Sequence, residues 1–305
     1  MIKKKIFITG HNGLVGSSIV EALRNKKTYK IITAERKKLD LLNQVQVNNF
    51  FKKNKPDIVV HAAGKVGGIL HNKTYPAEFI FQNSQMALNV INSSHIYKVK
   101  KLINLGSACI YPKYAKQPIK ETYLLDGKLE SSNEAYAIAK ILSLKMTEYY
   151  KKQFQCNFLS LQPTNLYGLK DNFNIKSGHV IPALINKFHE GKIKNKKSVE
   201  VWGSGKVKRE FLFVDDLADA ITFLLRKKTN HNIINVGSGK EVTIKNLSKL
   251  IASIIGYKGK IIFNKNYPDG TPRKIVSTTI LSKMGWTHKT KLREGLIKVY
   301  KSFVN

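Results

Sequence analysis

Residues 6–16, Ile6-Phe7-Ile8-Thr9-Gly10-His11-Asn12-Gly13-Leu14-Val15-Gly16, constrain this chain more than any other stretch. The first four read as a buried strand, and Ile19, Val20 and Leu23 continue at helical spacing. Between strand and helix lies Gly-x-x-Gly-x-x-Gly. That order makes a cradle for a pyrophosphate: the turn is tight, the backbone can approach closely, and the helix N-terminus favours an anion. A dinucleotide site is therefore expected over Gly10, His11, Asn12, Gly13, Leu14, Val15 and Gly16.

The residues that follow repeat the strand–helix rhythm. Strands are expected at 29–34, 39–41, 56–64, 99–105 and 156–161, with helices between them, including 76–97 and one through Tyr136 and Lys140. Such alternation predicts an α/β fold with a doubly wound parallel sheet, a Rossmann domain. It would occupy residues 1–168, with about 210–236 rejoining it. Residues 169–305 would mainly form a smaller mixed α/β C-terminal substrate domain. The second strand ends at Glu35-Arg36, where a dinucleotide site reads the adenosine ribose. Glu35 suits two free hydroxyls and Arg36 suits a 2′-phosphate. Asp40 fits either the adenine edge or a helix cap. Phe213-Val214-Asp215-Asp216-Leu217 reads as a side-chain-capped helix start. Cys156 reads as a packing residue, and His61 and His71 as structural.

Chemistry concentrates between 105 and 140. Leu105-Gly106-Ser107-Ala108-Cys109 lies at the C-terminal end of an expected strand, where ligands of open parallel sheets bind. Tyr136 and Lys140 stand four residues apart, on one helix face. An ammonium near a phenol favours the phenolate, so a lowered tyrosine pKa is expected. Ser107, Tyr136 and Lys140 together suit a carbonyl that receives a hydride. The Cys109 thiol is left over.

Composition removes several other functions. The net charge is +33, but only six of the 53 basic residues are arginine, and the 47 lysines are scattered without interleaved aromatics. That pattern argues against nucleic acid as the main partner, while a positive field still attracts an anionic substrate. No apolar run approaches a membrane span, and the short apolar start is no signal-peptide core, so a cytoplasmic enzyme is expected. Two cysteines make neither a disulfide framework nor a metal-ligand spacing, so no metal is expected.

Several motifs together carry a resemblance over nearly the whole chain: Gly10–Gly16, Ala62-Ala63-Gly64-Lys65-Val66-Gly67-Gly68, Gly106-Ser107-Ala108-Cys109-Ile110-Tyr111-Pro112-Lys113, and Pro163-Thr164-Asn165-Leu166-Tyr167-Gly168. Ser177-Gly178-His179-Val180-Ile181-Pro182-Ala183 and Pro268-Asp269-Gly270-Thr271-Pro272-Arg273-Lys274 complete the set. The chain resembles the extended short-chain dehydrogenase/reductases, and within them the GDP-L-fucose synthase family. The resemblance implies conversion of GDP-4-keto-6-deoxy-D-mannose to GDP-L-fucose: 3,5-epimerisation, then reduction of the C4 ketone with NADPH. It implies Ser107, Tyr136 and Lys140 as the reductase residues, Cys109 as the epimerisation base and His179 as its partner acid. It implies NADP contacts at Arg36, Asp40, Leu41, Leu105, Gly106, Lys140, Pro163, Asn165, Leu166 and His179, besides the glycine turn. Lys187, Trp202, Arg209 and Asp269 match the GDP-sugar positions, and a homodimer is implied.

A guanidinium at Arg209 suits a diphosphate. Lys187 also fits a surface lysine, Trp202 a core residue and Asp269 a turn cap. The chain departs from the family where Asn12 replaces a usual basic residue and where 190–199 is shorter. Competing readings are a GDP-sugar 4-reductase acting on another 4-keto sugar such as a 6-deoxyheptose, an NAD-holding 4-epimerase or 4,6-dehydratase, and a non-catalytic dinucleotide-binding regulator.

Overall fold

The computed structural model describes residues 3–175, 177–267 and 269–305; Pro268, the first residue of a motif above, lies outside the described residues. The first half alternates β1 (Lys4–Thr9), α1 (Leu14–Arg24), β2 (Tyr29–Ile32), α2 (Gln44–Asn54), β3 (Ile58–His61), α3 (Ile69–Thr74), α4 (Pro76–Ile96), β4 (Lys101–Leu105), α5 (Glu134–Phe154) and β5 (Phe158–Pro163). Then come β6 (Asn165–Tyr167), α6 (Val180–Ile193), β7 (Ser198–Trp202), β8 (Lys208–Phe213), α7 (Val214–Leu225), β9 (Ile233–Val236) and β10 (Glu241–Thr243). The chain closes with α8 (Ile244–Ile255), β11 (Lys260–Asn264), β12 (Arg273–Lys274), α9 (Thr279–Lys283) and α10 (Leu292–Val304).

Six strands pair in parallel in the order β2-β1-β3-β4-β5-β9, the expected doubly wound sheet. Every residue of β3, β4 and β5 is buried, as in a sheet covered on both faces. The period of two sorts the side chains. Ile6, Ile8, Ile58, Val60, Ile103 and Leu159 pack with α1 and α7, while Phe7, Val59, Leu102 and Phe158 pack with α2 and α4. A second core joins α6, α8 and α10 to β7 and β8. β8 links the two regions, pairing with β6, β10 and β12.

The strand order reverses between β1 and β3, and the sequence shapes that crevice directly. Gly10 has φ +67°, and a Cβ there would sit 2.8 Å from Ala63 Cα. A Cβ on Gly16 would sit 2.1 Å from the Gly10 carbonyl oxygen, so α1 can press against the turn only through glycine. The Thr9 hydroxyl accepts from the Ala62 and Ala63 N–H groups and lies 2.9 Å from Nδ1 of buried His61, tying β1 to β3 beneath the crevice. Burial, helped by Lys140, pushes the His61 imidazole down to about 3, so it is a neutral structural group.

Four expectations are corrected. Residues 39–41 form no strand: the Asp40 carboxylate accepts from the Leu42 N–H, and the cap of α2 is Asn43, which accepts from the Gln46 N–H at 3.0 Å. The second strand stops at Ile32. Phe213, not an aspartate, stands at the start of α7. Its two acids instead tie elements together: Asp215 accepts from Ser18 Oγ, and Asp216 accepts from the N–H groups of Lys289 and Thr290. The strand expected from 156 begins at Phe158, so Cys156 precedes β5; it is the expected packing residue all the same, partly buried against the core of α2 and α4 with Sγ 3.5 Å from His95 Nδ1. No helix among the described residues is long and apolar enough to cross a membrane.

Candidate active site

One cavity of about 1040 Å³ crosses the C-terminal ends of the sheet, from the glycine turn to β7 and β8. Every candidate residue named above borders it. At the cofactor end the cradle is backbone. Gly13 stands at the start of α1 with no side-chain cap, which leaves the helix N-terminus to a ligand anion. Glu35 and Arg36 are both exposed and both border the cavity. Asp40 lies on the floor with its carboxylate engaged by its own turn, and the Leu41 carbonyl is held by Asn89. Gly106 fits against Gln162, whose Oε1 accepts from the Ser107 N–H at 2.8 Å. Pro163, Asn165 and Leu166 close the wall, with Asn165 Nδ2 donating to the Glu210 carbonyl. Shape and donors fit a dinucleotide.

The candidate catalytic residues Ser107, Cys109, Tyr136 and Lys140 lie just after β4 and on α5. The Ser107 hydroxyl accepts from the Cys109 N–H at 3.2 Å, which folds the short turn that carries the thiol. Lys140 donates to the Leu105 carbonyl at 2.9 Å, with its ammonium 5.7 Å from the centroid of the Tyr136 ring. Burial lowers the Lys140 ammonium to about 8.

The tyrosine corrects the sequence argument. Burial, reinforced by the charge of Cys109 and opposed by a hydrogen bond with Ser107, raises the Tyr136 pKa above its ordinary value. The lysine does not offset this, because it is itself desolvated and turned to a carbonyl. The Tyr136 phenol therefore keeps its proton. Cys109 moves the other way. Burial raises its pKa, but the charge of Lys274 and hydrogen bonds with Ser107, Lys274 and Asn133 outweigh that and lower it. Lys274 Nζ stands 3.6 Å from Sγ.

His179, half exposed, begins α6 with Nδ1 3.9 Å from the largely buried Asp171 carboxylate. Two turns further on, Lys187 donates to the Glu200 carbonyl and lies 4.3 Å over the Trp202 ring, whose other neighbour is a parallel Tyr267 at 4.5 Å. Trp202 is therefore a cavity platform rather than core. Arg209 donates to the carbonyls of Lys208 and Asp269, leaving guanidinium donors free for an anion. Asp269 accepts from the Ser204 N–H at 2.7 Å, so its carboxylate also caps that turn. Sequence reasoning assigned no role to Lys274, Asn133, Asp171 or Tyr267. Lys274 ends a motif already singled out, but nothing local pointed it at a thiol. Among the described residues no cluster could hold a metal ion.

Comparison with known proteins narrows this geometry. Residues 6–237 match the model of the NAD dependent epimerase/dehydratase family. A GDP-L-fucose synthase of Sinorhizobium fredii is 50% identical over 302 residues, covering 99% of this chain and 96% of that protein. The crystal structure of a GDP-6-OMe-4-keto-L-xylo-heptose reductase from C. jejuni superposes with a TM-score of 0.93 at 35% identity, over 99% of this chain and 98% of that one. A GDP-L-fucose synthetase from Naegleria fowleri bound to NADP gives 0.91 at 28% identity, over 99% and 92%. Cradle, serine–tyrosine–lysine centre and full-length likeness agree: the chain belongs to the NAD dependent epimerase/dehydratase family, and within it to the GDP-L-fucose synthases.

Proposed function

We propose that this enzyme converts GDP-4-keto-6-deoxy-D-mannose to GDP-L-fucose with NADPH. The observation that carries the reading is a thiol held toward its anion beside a serine and a protonated tyrosine, in one cavity with free Arg209 donors. Protons at C3 and C5 are acidic because the electron pair left behind delocalises onto the C4 oxygen. The Cys109 thiolate takes such a proton, Ser107 and Tyr136 donate hydrogen bonds to the oxygen that gains charge, and His179 returns a proton to the opposite face. Bound NADPH supplies the hydride for C4. Tyr136 then gives its proton to the C4 oxygen, and Lys140 orients the nicotinamide ribose. Arg209, Lys187, Trp202 and Asp269 hold the GDP-sugar.

Residues 1–168, with about 210–236, form the NADP-binding domain, and 169–305 mainly bind the GDP-sugar. A thiolate base needs a reducing compartment, which fits the cytoplasm. Incubation with GDP-4-keto-6-deoxymannose and NADPH in heavy water tests the reading: deuterium at C3 and C5 of a reduced product is expected. Reduction without deuterium would leave a 4-reductase, the reading that the heptose reductase likeness favours.

With Asn12 in the turn, Arg36 carries the preference for the 2′-phosphate. Arg36→Ala should raise KM for NADPH by about 10–100-fold, the worth of a charged hydrogen bond, and leave KM for NADH nearly unchanged. Equal changes for both cofactors would refute that assignment.

Homodimer formation has a ready surface. Phe81 and Leu88 on α4, with Ile138, Leu142 and Tyr149 on α5, recur at helical spacing and are each more than a third exposed. Such a stripe suits a second copy. The double change Phe81→Glu with Leu142→Glu should halve the mass measured by sedimentation.

A further inference from the structure

The mechanism needs Cys109 as a thiolate, and an ordinary thiol is mostly protonated at neutral pH. The fold brings one cation to its sulfur. β12 pairs with β8 in parallel, Arg273 opposite Lys208 and Lys274 opposite Arg209. Alternate residues of a strand face opposite ways. Arg273 accordingly turns to Glu241, its Nε 2.7 Å from Oε2, while Lys274 faces the cavity.

The backbone beyond is pinned. The Ile275 N–H donates to Gln117 Oε1, the Val276 N–H to the buried Glu210 carboxylate, and the Ser277 N–H to the Ile119 carbonyl. Lys274 therefore reaches Sγ from a fixed base. Among the described residues its ammonium has no carboxylate within ion-pair distance, so the charge is not already spent on an acid. The other groups around the thiol are Ser107 on its own turn, Asn133 before α5, Tyr136 on α5 and Arg209 on β8, with Glu130 and Asp269 acting on Arg209.

We infer that Lys274 is a positioning residue for the epimerase half of the reaction: its ammonium, 3.6 Å from Sγ, holds Cys109 as the thiolate that removes the substrate proton. The inference rests on the proposed role of Cys109. The proton balance follows. The thiolate becomes a thiol on taking the C3 or C5 proton, and the ammonium keeps all its protons while its counter-charge moves to the C4 oxygen. Lys274 thus serves the resting base rather than the hydride step.

The test separates thiol chemistry from turnover. In a Cys156→Ser background, where Cys109 is the single thiol, iodoacetamide alkylation is followed against pH for Lys274, Lys274→Gln, Lys274→Met and Lys274→Arg enzymes. NADPH binding, read by its fluorescence, reports that each variant is folded. With the cation removed, alkylation at pH 7 should slow by about tenfold or more, and the profile should move to higher pH, since a neighbouring opposite charge favours the ionised form. Lys274→Arg should stay close to the parent profile. Superimposed profiles for Lys, Gln and Met would overturn the inference. A shifted profile with deuterium exchange unchanged would keep Lys274 as the thiol's partner and remove Cys109 as the base.

Discussion

A Cys109→Ser enzyme should lose about a thousandfold in deuterium exchange at C3 and C5, yet reduce an already epimerised 4-ketone at close to the unaltered rate. The two halves of the reaction ask different things of this position. Exchange needs a group that accepts a proton from carbon at neutral pH. A thiol with Lys274 beside it can be ionised there, whereas a serine hydroxyl in the same place cannot. In the proposed mechanism, reduction needs only that the C4 oxygen be held by Ser107 and protonated by Tyr136. The Cys109 N–H, which donates to the Ser107 hydroxyl, belongs to the backbone and survives the change. Serine is also close in size, so the turn at 108–110 should persist. The measurement is proton exchange by NMR alongside NADPH oxidation with a pre-epimerised substrate. Equal losses in both would mean that Cys109 supports the whole site rather than one step. Cys156→Ser is the matched control, since that thiol faces His95 well away from the cavity, and it should change neither rate.

Legibility followed locality. The glycine turn could be read because its determinants lie within seven residues, and the structure adds only what Gly10 and Gly16 avoid touching. The face shared by Tyr136 and Lys140 was equally local. What spacing could not supply was solvation. Proximity to an ammonium predicts a lowered tyrosine, but burial of both groups, set by the sheet and α4, raises it instead. At 39–41 alternating apolar residues imitated a strand, and the local turn at Asp40 with the helix cap at Asn43 won. The pairing of Lys274 with Cys109 spans 165 residues and depends on β12 lying beside β8, so no window of sequence contains it.

Tyr136→Phe should produce the inverse phenotype: NADPH oxidation slower by about 10²–10⁴-fold, with exchange at C3 and C5 reduced far less. The raised pKa is what makes the phenol suitable. An acid that must give its proton to the C4 oxygen has to hold that proton until the oxygen becomes strongly basic. Burial does most of this, and the negative charge of Cys109 adds to it, so the ionised base itself helps keep the acid loaded. Exchange depends on the phenol only as one of two donors to the C4 oxygen, and Ser107 remains. In the proposed mechanism, Lys140 sets the pH dependence. Burial lowers its ammonium to about 8, so it is charged below that pH and neutral above it. The reduction rate should therefore be flat up to about pH 8 and fall beyond it, and Lys140→Met should remove that limb while lowering the plateau. If Tyr136→Phe oxidised NADPH at the unaltered rate, another group would have to protonate the C4 oxygen. The half-exposed His179, which borders the same cavity, would then be the acid for both halves of the reaction.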